Sequence, residues 1–243
     1  MNSSLSMPNH SLEIGVDPGH MSVARGPSFP HEAARSEDRI RLQLKRAIDV
    51  IGSVTGLVLL GLPMLVIAAL VRLDSPGPSL FWQLRRGRGG RPFWFAKFRT
   101  MIADAESRVG ELEALNETSC GVLFKIHRDP RVTRLGRLLR RTSLDELPQL
   151  FNVLRGDMSL VGPRPLQLRD CERLEQADPL GHERRLSVLP GLTGAWQVGG
   201  RSEVDCLKML ALDLDYLDRW SLRRDCQILA RTVGAVLRGT GAY

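Results

Sequence analysis

The residues most able to do chemistry lie in TSLDELPQLFNVLRGDMSLVGPRP, residues 142–165. Asp145 and Glu146 are adjacent acids, and Arg140 and Arg141 precede them by a few positions. Carboxylates beside arginines stay ionised, and two neighbouring carboxylates can share Mg²⁺ with the phosphates of a substrate. Downstream, Arg164 stands between Pro163 and Pro165, whose rings restrict the backbone on both sides, with Gly162 permitting the turn. A rigidly presented guanidinium suits a phosphate. A purely structural reading competes with this one. Ser143-Leu-Asp-Glu146 matches a capping box ahead of Leu147, Leu150, Phe151 and Leu154, although Pro148 would then fall at the fifth helical position and strike a carbonyl of the first turn.

The elements that must position these residues follow from the rest of the chain. At 243 residues it has room for one sizeable domain plus appendages. Its formal charge of +7, carried mostly by arginine, favours an anionic partner such as a nucleotide or a lipid phosphate. Aromatic residues make up only 5 % of the chain, which argues against a stacking platform for single-stranded nucleic acid. Cys120, Cys171, Cys206 and Cys226 form no Cys-x-x-Cys and have no histidines at ligand spacing, so neither a zinc site nor a disulfide framework is indicated.

Residues 1–38 show no sustained apolar period and read as a disordered leader. Residues 39–73 then form an apolar unit in which Val50 to Val71 carries no charge over 22 positions, or ~33 Å as a helix. Arg39, Arg41, Lys45 and Arg46 lie before it, and Arg72, Arg85, Arg86, Arg88 and Arg91 after it. The positive-inside rule puts both flanks in the cytoplasm, which one straight crossing cannot do. Pro63, with Gly61 just before it, supplies a break, so a re-entrant helix-break-helix resolves the conflict. A kinked single-pass helix is the alternative, and the residues alone leave both open.

Residues 74–243 read as the catalytic part. LFWQLRRGRGGRPFWFAKFRTM predicts a β-hairpin with a basic tip, and 102–118 an exposed helix. PRVTRLGRLLRR predicts an amphipathic helix with a cationic side suited to a headgroup surface. Polar helix over 166–186, a glycine-rich loop holding Trp196, Gln197 and Arg201, and two amphipathic helices over about 203–218 and 222–238 complete the chain. The fold class is therefore α+β and mostly helical: a membrane segment, either a re-entrant helix-break-helix or single-pass, a small hairpin, and amphipathic interfacial helices around a cytosolic core.

SLDELPQLFNVLRGDMSLVGPRP, with FAKFRTM, DPRVTRLGRLLRRTSLDE and PGLTGAWQVGGR in this order, strongly resembles the bacterial sugar transferases, the monotopic polyprenyl-phosphate phosphoglycosyl transferases. The resemblance runs from about Arg46 to the C-terminus and is strongest to the short, exopolysaccharide-initiating type that makes the galactosyl-phosphate lipid of succinoglycan synthesis. It implies a membrane enzyme of the bacterial inner membrane with its catalytic domain on the cytoplasmic face. Such an enzyme moves a hexose-1-phosphate, galactose or glucose, from a UDP-sugar to undecaprenyl phosphate and releases UMP. By the matching motifs, Asp145 is the nucleophile that forms a covalent phospho-sugar intermediate, and Glu146 is its partner at Mg²⁺. Arg164 and Arg140 attend the diphosphate, Lys97, Arg99, Gln197 and Arg201 contact nucleotide or sugar, Asp157 supports from behind, and Pro63 is the membrane break. Where relatives carry serine before that proline, this chain has Leu62.

The expected partners are thus a UDP-sugar, undecaprenyl phosphate and membrane lipid, without nucleic acid; a homo-oligomer stays open. Two other function classes compete. A membrane-tethered basic module would bind nucleic acid or acidic lipid without catalysis, and a single-pass scaffold would need only its apolar helices.

Overall fold

The computed structural model describes residues 36–117, 126, 128–199 and 206–238. The leader expected over 1–38 lies outside them up to residue 35, and helix α1, Ser36–Asp74, already covers 36–38. From Ile40 onward the chain forms one compact unit.

Helix α1 is continuous through Pro63, so the expected helix-break-helix has no interruption in its backbone assignment. Proline removes one N–H and crowds the carbonyl four residues back, but the leucine-rich turns on either side retain the helix. One stripe of α1 faces the body: Asp49, Ser53, Ile67 and Val71 are buried at helical spacing. The opposite stripe is apolar and open, with Val58, Leu59, Leu62, Leu65 and Leu73 at 70–83 % exposure. Length and composition suffice for α1 to cross a membrane.

The hairpin is present as expected. β1, Leu80–Arg86, pairs antiparallel with β2, Pro92–Phe98, across a short 3₁₀ turn at Arg88–Gly90. Gly89 and Gly90 take positive φ there, a conformation that glycine adopts without a Cβ penalty. Alternation along the pair separates two faces. Leu80 and Phe98 join Ile67, Val71 and Leu139 in one apolar cluster, while Gln83, Arg85, Phe95 and Lys97 point the other way.

Residues 102–117 correct the expectation of a helix over 102–118: they form turns and a 3₁₀ segment, Gly110–Leu115. Tertiary bonds claim the backbone that a helix would use. Ile102 N donates to Arg131 O at 3.0 Å, and Arg131 Nη1 donates to Ala105 O at 3.1 Å. Helix α2, Arg134–Thr142, starts with Thr133 capping Gly136 N at 2.9 Å. Gly136 lies so close to strand β2's exit that a Cβ would stand 2.0 Å from Thr100 O, so only glycine fits.

After α3, Gln149–Arg155, which Gly156 closes at φ 89°, the chain forms β3, Ser159–Val161. β3 pairs in parallel with β4, Gly191–Thr193, a pairing that three-residue strands do not announce in sequence. The polar stretch expected over 166–186 is two helices, α4 at Leu168–Ala177 and α5 at Pro179–Leu186. Asp178 divides them and caps α5 by accepting from Gly181 N at 2.8 Å. Short α6, Ala195–Val198, corrects the glycine-rich loop expected there by placing Trp196 and Gln197 on a helical turn, while the two closing helices, α7 at Cys206–Asp218 and α8 at Leu222–Arg238, follow as expected.

The principal core joins Phe95, Leu150, Val153, Met158, Leu160, Val161, Tyr216 and Ile228, drawn from β2, α3, β3, α7 and α8. Each such apolar side chain contributes about 1.5–3 kcal/mol by leaving water. β3 is at its centre, and the Gly162-Pro-Arg-Pro turn emerges directly from it.

Candidate active site

The acidic pair is not on a capped helix start. Ser143 ends α2 in the left-handed region, φ 56°, with its N–H donating to Arg140 O at 3.0 Å. It gives no side-chain cap to the following 3₁₀ turn, Leu144–Glu146, and α3 begins only after Pro148. The capping-box expectation is therefore corrected: Pro148, which has no N–H, stands at the start of α3 rather than five residues into a helix, and the chain makes a single tight turn before it. A non-glycine residue at positive φ is strained, and here it re-aims the chain so that Asp145 and Glu146 leave the end of α2 together.

Four cations surround the two acids, delivered by three parts of the fold. Lys97 and Arg85 come from one face of the hairpin, where the register sets Phe81 opposite Lys97 and Phe93 opposite Arg85. Lys97 Nζ sits 5.1 Å above the Phe81 ring, and the Arg85 guanidinium 4.0 Å above Phe95. Arg140, in the last turn of α2, is oriented by donating through Nε to Thr100 Oγ1 at 3.0 Å. Arg164, from the turn after β3, donates through Nη2 to Glu146 Oε1.

The two acids differ in commitment. Glu146 is tied to Arg164, and both side chains keep a fifth to a quarter of their surface open, 21 % and 26 %. Asp145 is 8 % exposed, and among the described residues no hydrogen bond or ion pair engages its carboxylate. Burial, followed by the negative charge of Glu146, pushes Asp145 up to about 6, against the pull of Lys97, Arg140 and Arg164. Glu146 goes the opposite way: burial would raise it, but Arg164 outweighs this by charge and hydrogen bond, and its carboxyl is held below the usual range. Lys97 is lowered to about 7 by burial and by the neighbouring Arg140 and Arg85, and Arg85 to about 9 by burial and Arg164. An excess of buried positive charge around one free carboxylate suits a polyanionic ligand.

The donor set fits Mg²⁺ only in company. Two adjacent carboxylates, one without a partner among the described residues, match an ion that completes its shell with substrate phosphate and water. Among the described residues no group of three or more His, Cys, Asp or Glu side chains could enclose a metal by itself.

Asp145, Glu146, Arg140, Arg164 and Lys97 thus come together. Arg99 does not join them: its guanidinium donates to Val71 O at 3.3 Å, Ser75 O at 2.6 Å and Pro76 O, closing the end of α1. Asp157 engages Asn152 at 3.4 Å and Arg155 at 3.3 Å. Gln197 donates to Leu192 O at 3.0 Å, beside β4, while its Oε1 is buried without a partner among the described residues. Arg201 lies outside the described residues. Arg85 escaped the sequence reading, although the hairpin's alternation carries its signal: it shares a face with Lys97 and is buried where a basic tip would be exposed.

Residues 40–239 match the family model described as bacterial sugar transferase. The chain is 43 % identical over 199 residues to the galactosyl transferase CpsE of Streptococcus agalactiae, covering 82 % of this chain and 43 % of that protein. It is 39 % identical over 242 residues to the UDP-glucose:undecaprenyl-phosphate glucose-1-phosphate transferase of Caulobacter vibrioides, covering 97 % of this chain and 82 % of the other. With the exopolysaccharide production protein ExoY of Rhizobium meliloti it shares 36 % over 223 residues, 90 % and 97 % of the two chains. It thus spans about two fifths of some relatives and nearly all of others.

Proposed function

This chain belongs to the bacterial sugar transferase family, and we propose that it transfers a hexose-1-phosphate from a UDP-sugar to undecaprenyl phosphate, releasing UMP, as the first membrane step of exopolysaccharide synthesis. The observation that carries this reading is the Asp145 carboxylate, buried, unclaimed and ringed by Lys97, Arg140 and Arg164 beside a Glu146 that is already paired. The names of relatives, which include galactose and glucose phosphotransferases of undecaprenyl phosphate, support the substrate class.

In the proposed reaction Asp145 Oδ attacks the sugar-bearing phosphorus of the diphosphate. The bond from that phosphorus to the bridging oxygen breaks, UMP leaves with the electron pair, and an aspartyl phospho-sugar remains. A phosphate oxygen of undecaprenyl phosphate then attacks the same phosphorus and displaces the Asp145 carboxylate, giving the lipid-diphosphate sugar. Covalent catalysis divides one displacement between two anions into two steps, each with a phosphate or carboxylate leaving group. Arg164 and Arg140 hold charge on the transferring group, where most phosphoryl-transfer catalysis resides. Mg²⁺ bound by Asp145 and Glu146 would add neutralisation of the diphosphate.

α1 supplies the membrane contact. Both of its flanks are fastened to the same body: Lys45 and Arg46 donate to the carbonyls of Val161, Val153 and Leu154 at 2.6–3.0 Å, and the other end carries Val71 and the Arg99 clamp. This supports both ends of α1 lying on one side of the membrane. Cysteines placed at Arg39 and Asp74 in a cysteine-free background should both resist a membrane-impermeant thiol reagent from outside; reaction of one alone would favour a full crossing.

UMP release from a panel of UDP-hexoses with undecaprenyl phosphate and Mg²⁺ tests the activity. Release with one sugar, abolished in Asp145→Asn, is expected; no release with any sugar, or an undiminished rate in the variant, would overturn it.

A further inference from the structure

Three consecutive carbonyls of the Pro163-Arg164-Pro165 turn are each held from a different element. Pro163 O accepts from Gly191 N of β4 at 2.8 Å, Arg164 O from Arg185 Nη2 of α5 at 2.9 Å, and Pro165 O from Arg85 Nη1 of β1 at 2.6 Å. The proline rings fix φ at 163 and 165, and the held carbonyls fix ψ at 163, 164 and 165. One backbone torsion of the turn, φ of Arg164, is left to neither device.

Two of the three holders are buried arginines that the transfer chemistry leaves unused, and each has a second task that fixes its own plane. Arg185 Nε donates to Asp213 Oδ2 of α7 at 2.8 Å, with the two side chains 4 % and 1 % exposed. Arg85 directs Nε and Nη2 to Gln83 Oε1 at 3.3 and 3.1 Å and stacks on Phe95. Lysine could keep either charge, but it lacks the planar fork that serves two acceptors in fixed directions. A buried pair as closed as Arg185–Asp213 is weak evidence for added stability, because desolvation offsets its attraction. Its outward N–H on the backbone of Arg164 gives it another purpose.

We propose that Arg85 and Arg185 are positioning residues, which hold the Pro-Arg-Pro turn by its carbonyls and so aim the Arg164 guanidinium at the transferring phosphate. This rests on the phosphoglycosyl transfer reading above. Asp213 and Gln83 act one step further out, orienting the two guanidinium planes.

The test is a double-mutant cycle on UMP release in the full chain, using Arg185→Lys, Arg164→Lys and the double variant, with Arg85→Lys as a parallel arm. Arg185→Lys should lower kcat about 10- to 100-fold, as expected for a sub-ångström misplacement of a phosphate ligand, with KM changed less than about threefold. In the Arg164→Lys background the same change should cost less than about threefold in kcat, because its effect passes through Arg164. The shift in Tm should be alike in both backgrounds. Equal kcat losses in the two backgrounds would overturn the proposal and leave a structural role. If Arg185→Lys fails to fold, Arg85→Lys decides by the same criterion. Hydrogen exchange of the peptide covering 159–166 needs no turnover: faster exchange in the folded Lys variants is expected, and unchanged exchange overturns the proposal even if no UDP-sugar is consumed.

Discussion

The molecule buries acids beside cations in several places, and it treats two of them differently. At the root of α1, Asp225 accepts from Tyr216 Oη at 2.7 Å, Lys45 Nζ at 2.7 Å and Trp220 Nε1 at 3.2 Å, while Asp49 accepts from Ser159 Oγ at 3.0 Å and Leu160 N at 2.9 Å. These carboxylates are spent on joining α1 to β3 and α8. At the Leu144–Glu146 turn Glu146 is tied to Arg164, but Asp145 has no hydrogen-bond or ion-pair partner among the described residues. A saturated buried network fixes a fold, and an unsaturated one holds reactivity in reserve. The contrast separates the two acids of the site as well: in the proposed reaction one orients and one reacts.

That contrast can be broken by mutation. Asp145→Asn should reduce kcat at least about 1,000-fold with the fold intact by circular dichroism, since a missing nucleophile has no substitute. Asp225→Ala should do the reverse. It strands Lys45 in a part-buried site and costs about 3–5 kcal/mol of stability, while the protein that remains folded turns over within a few-fold of wild type. Comparable activity losses from the two variants would erase the distinction.

A smaller effect is the pH dependence. Asp145 must be ionised to attack, so kcat/KM should fall about tenfold per pH unit below about 6 and level off above it. A flat profile from pH 5 to 8 would contradict this. Stability runs the other way. With the folded value raised above the unfolded one, the native state holds the extra proton between about 4 and 6, so ionisation costs stability as pH rises through that window. Asp145→Asn should therefore raise Tm relative to wild type at pH 7.5 and lose that advantage below pH 4.

The smallest expected change is at the strained hinge. Ser143→Gly removes the Cβ from a left-handed position and should alter stability by no more than about 1 kcal/mol, whereas Ser143→Val should cost about 1–2 kcal/mol. Thermal melts in detergent of fixed composition measure both.

What was legible in the sequence is what local pattern and spacing encode. The hairpin was visible in the alternation of LFWQLRR and PFWFAKF, and the closing helices in the spacing of their leucines. The pairing of Asp145, Glu146, Arg140 and Arg164 was visible because only 24 residues separate the outermost two. The capping box was misread because Ser143 belongs to the end of α2, a boundary that a left-handed residue other than glycine or asparagine does not advertise. Arg99 fell outside the cluster because strict alternation would put it on the same face as Lys97, two residues earlier, whereas β2 ends at Phe98 and beyond it alternation no longer directs the side chain. Arg85 and Arg185 were invisible for another reason. Their partners lie 80 and 21 residues away, and no period or propensity couples an arginine to a distant backbone carbonyl.

The central claim is that Asp145 itself carries the phospho-sugar. Mixing the wild-type enzyme with its UDP-sugar and Mg²⁺, without undecaprenyl phosphate, and quenching before peptide mass spectrometry tests it most directly. UMP release of up to one equivalent per enzyme is expected, with a hexose-phosphate mass on the peptide containing Asp145 that is discharged when the lipid phosphate is added. UMP release only when the acceptor is present, or an adduct on a peptide without Asp145, would contradict it.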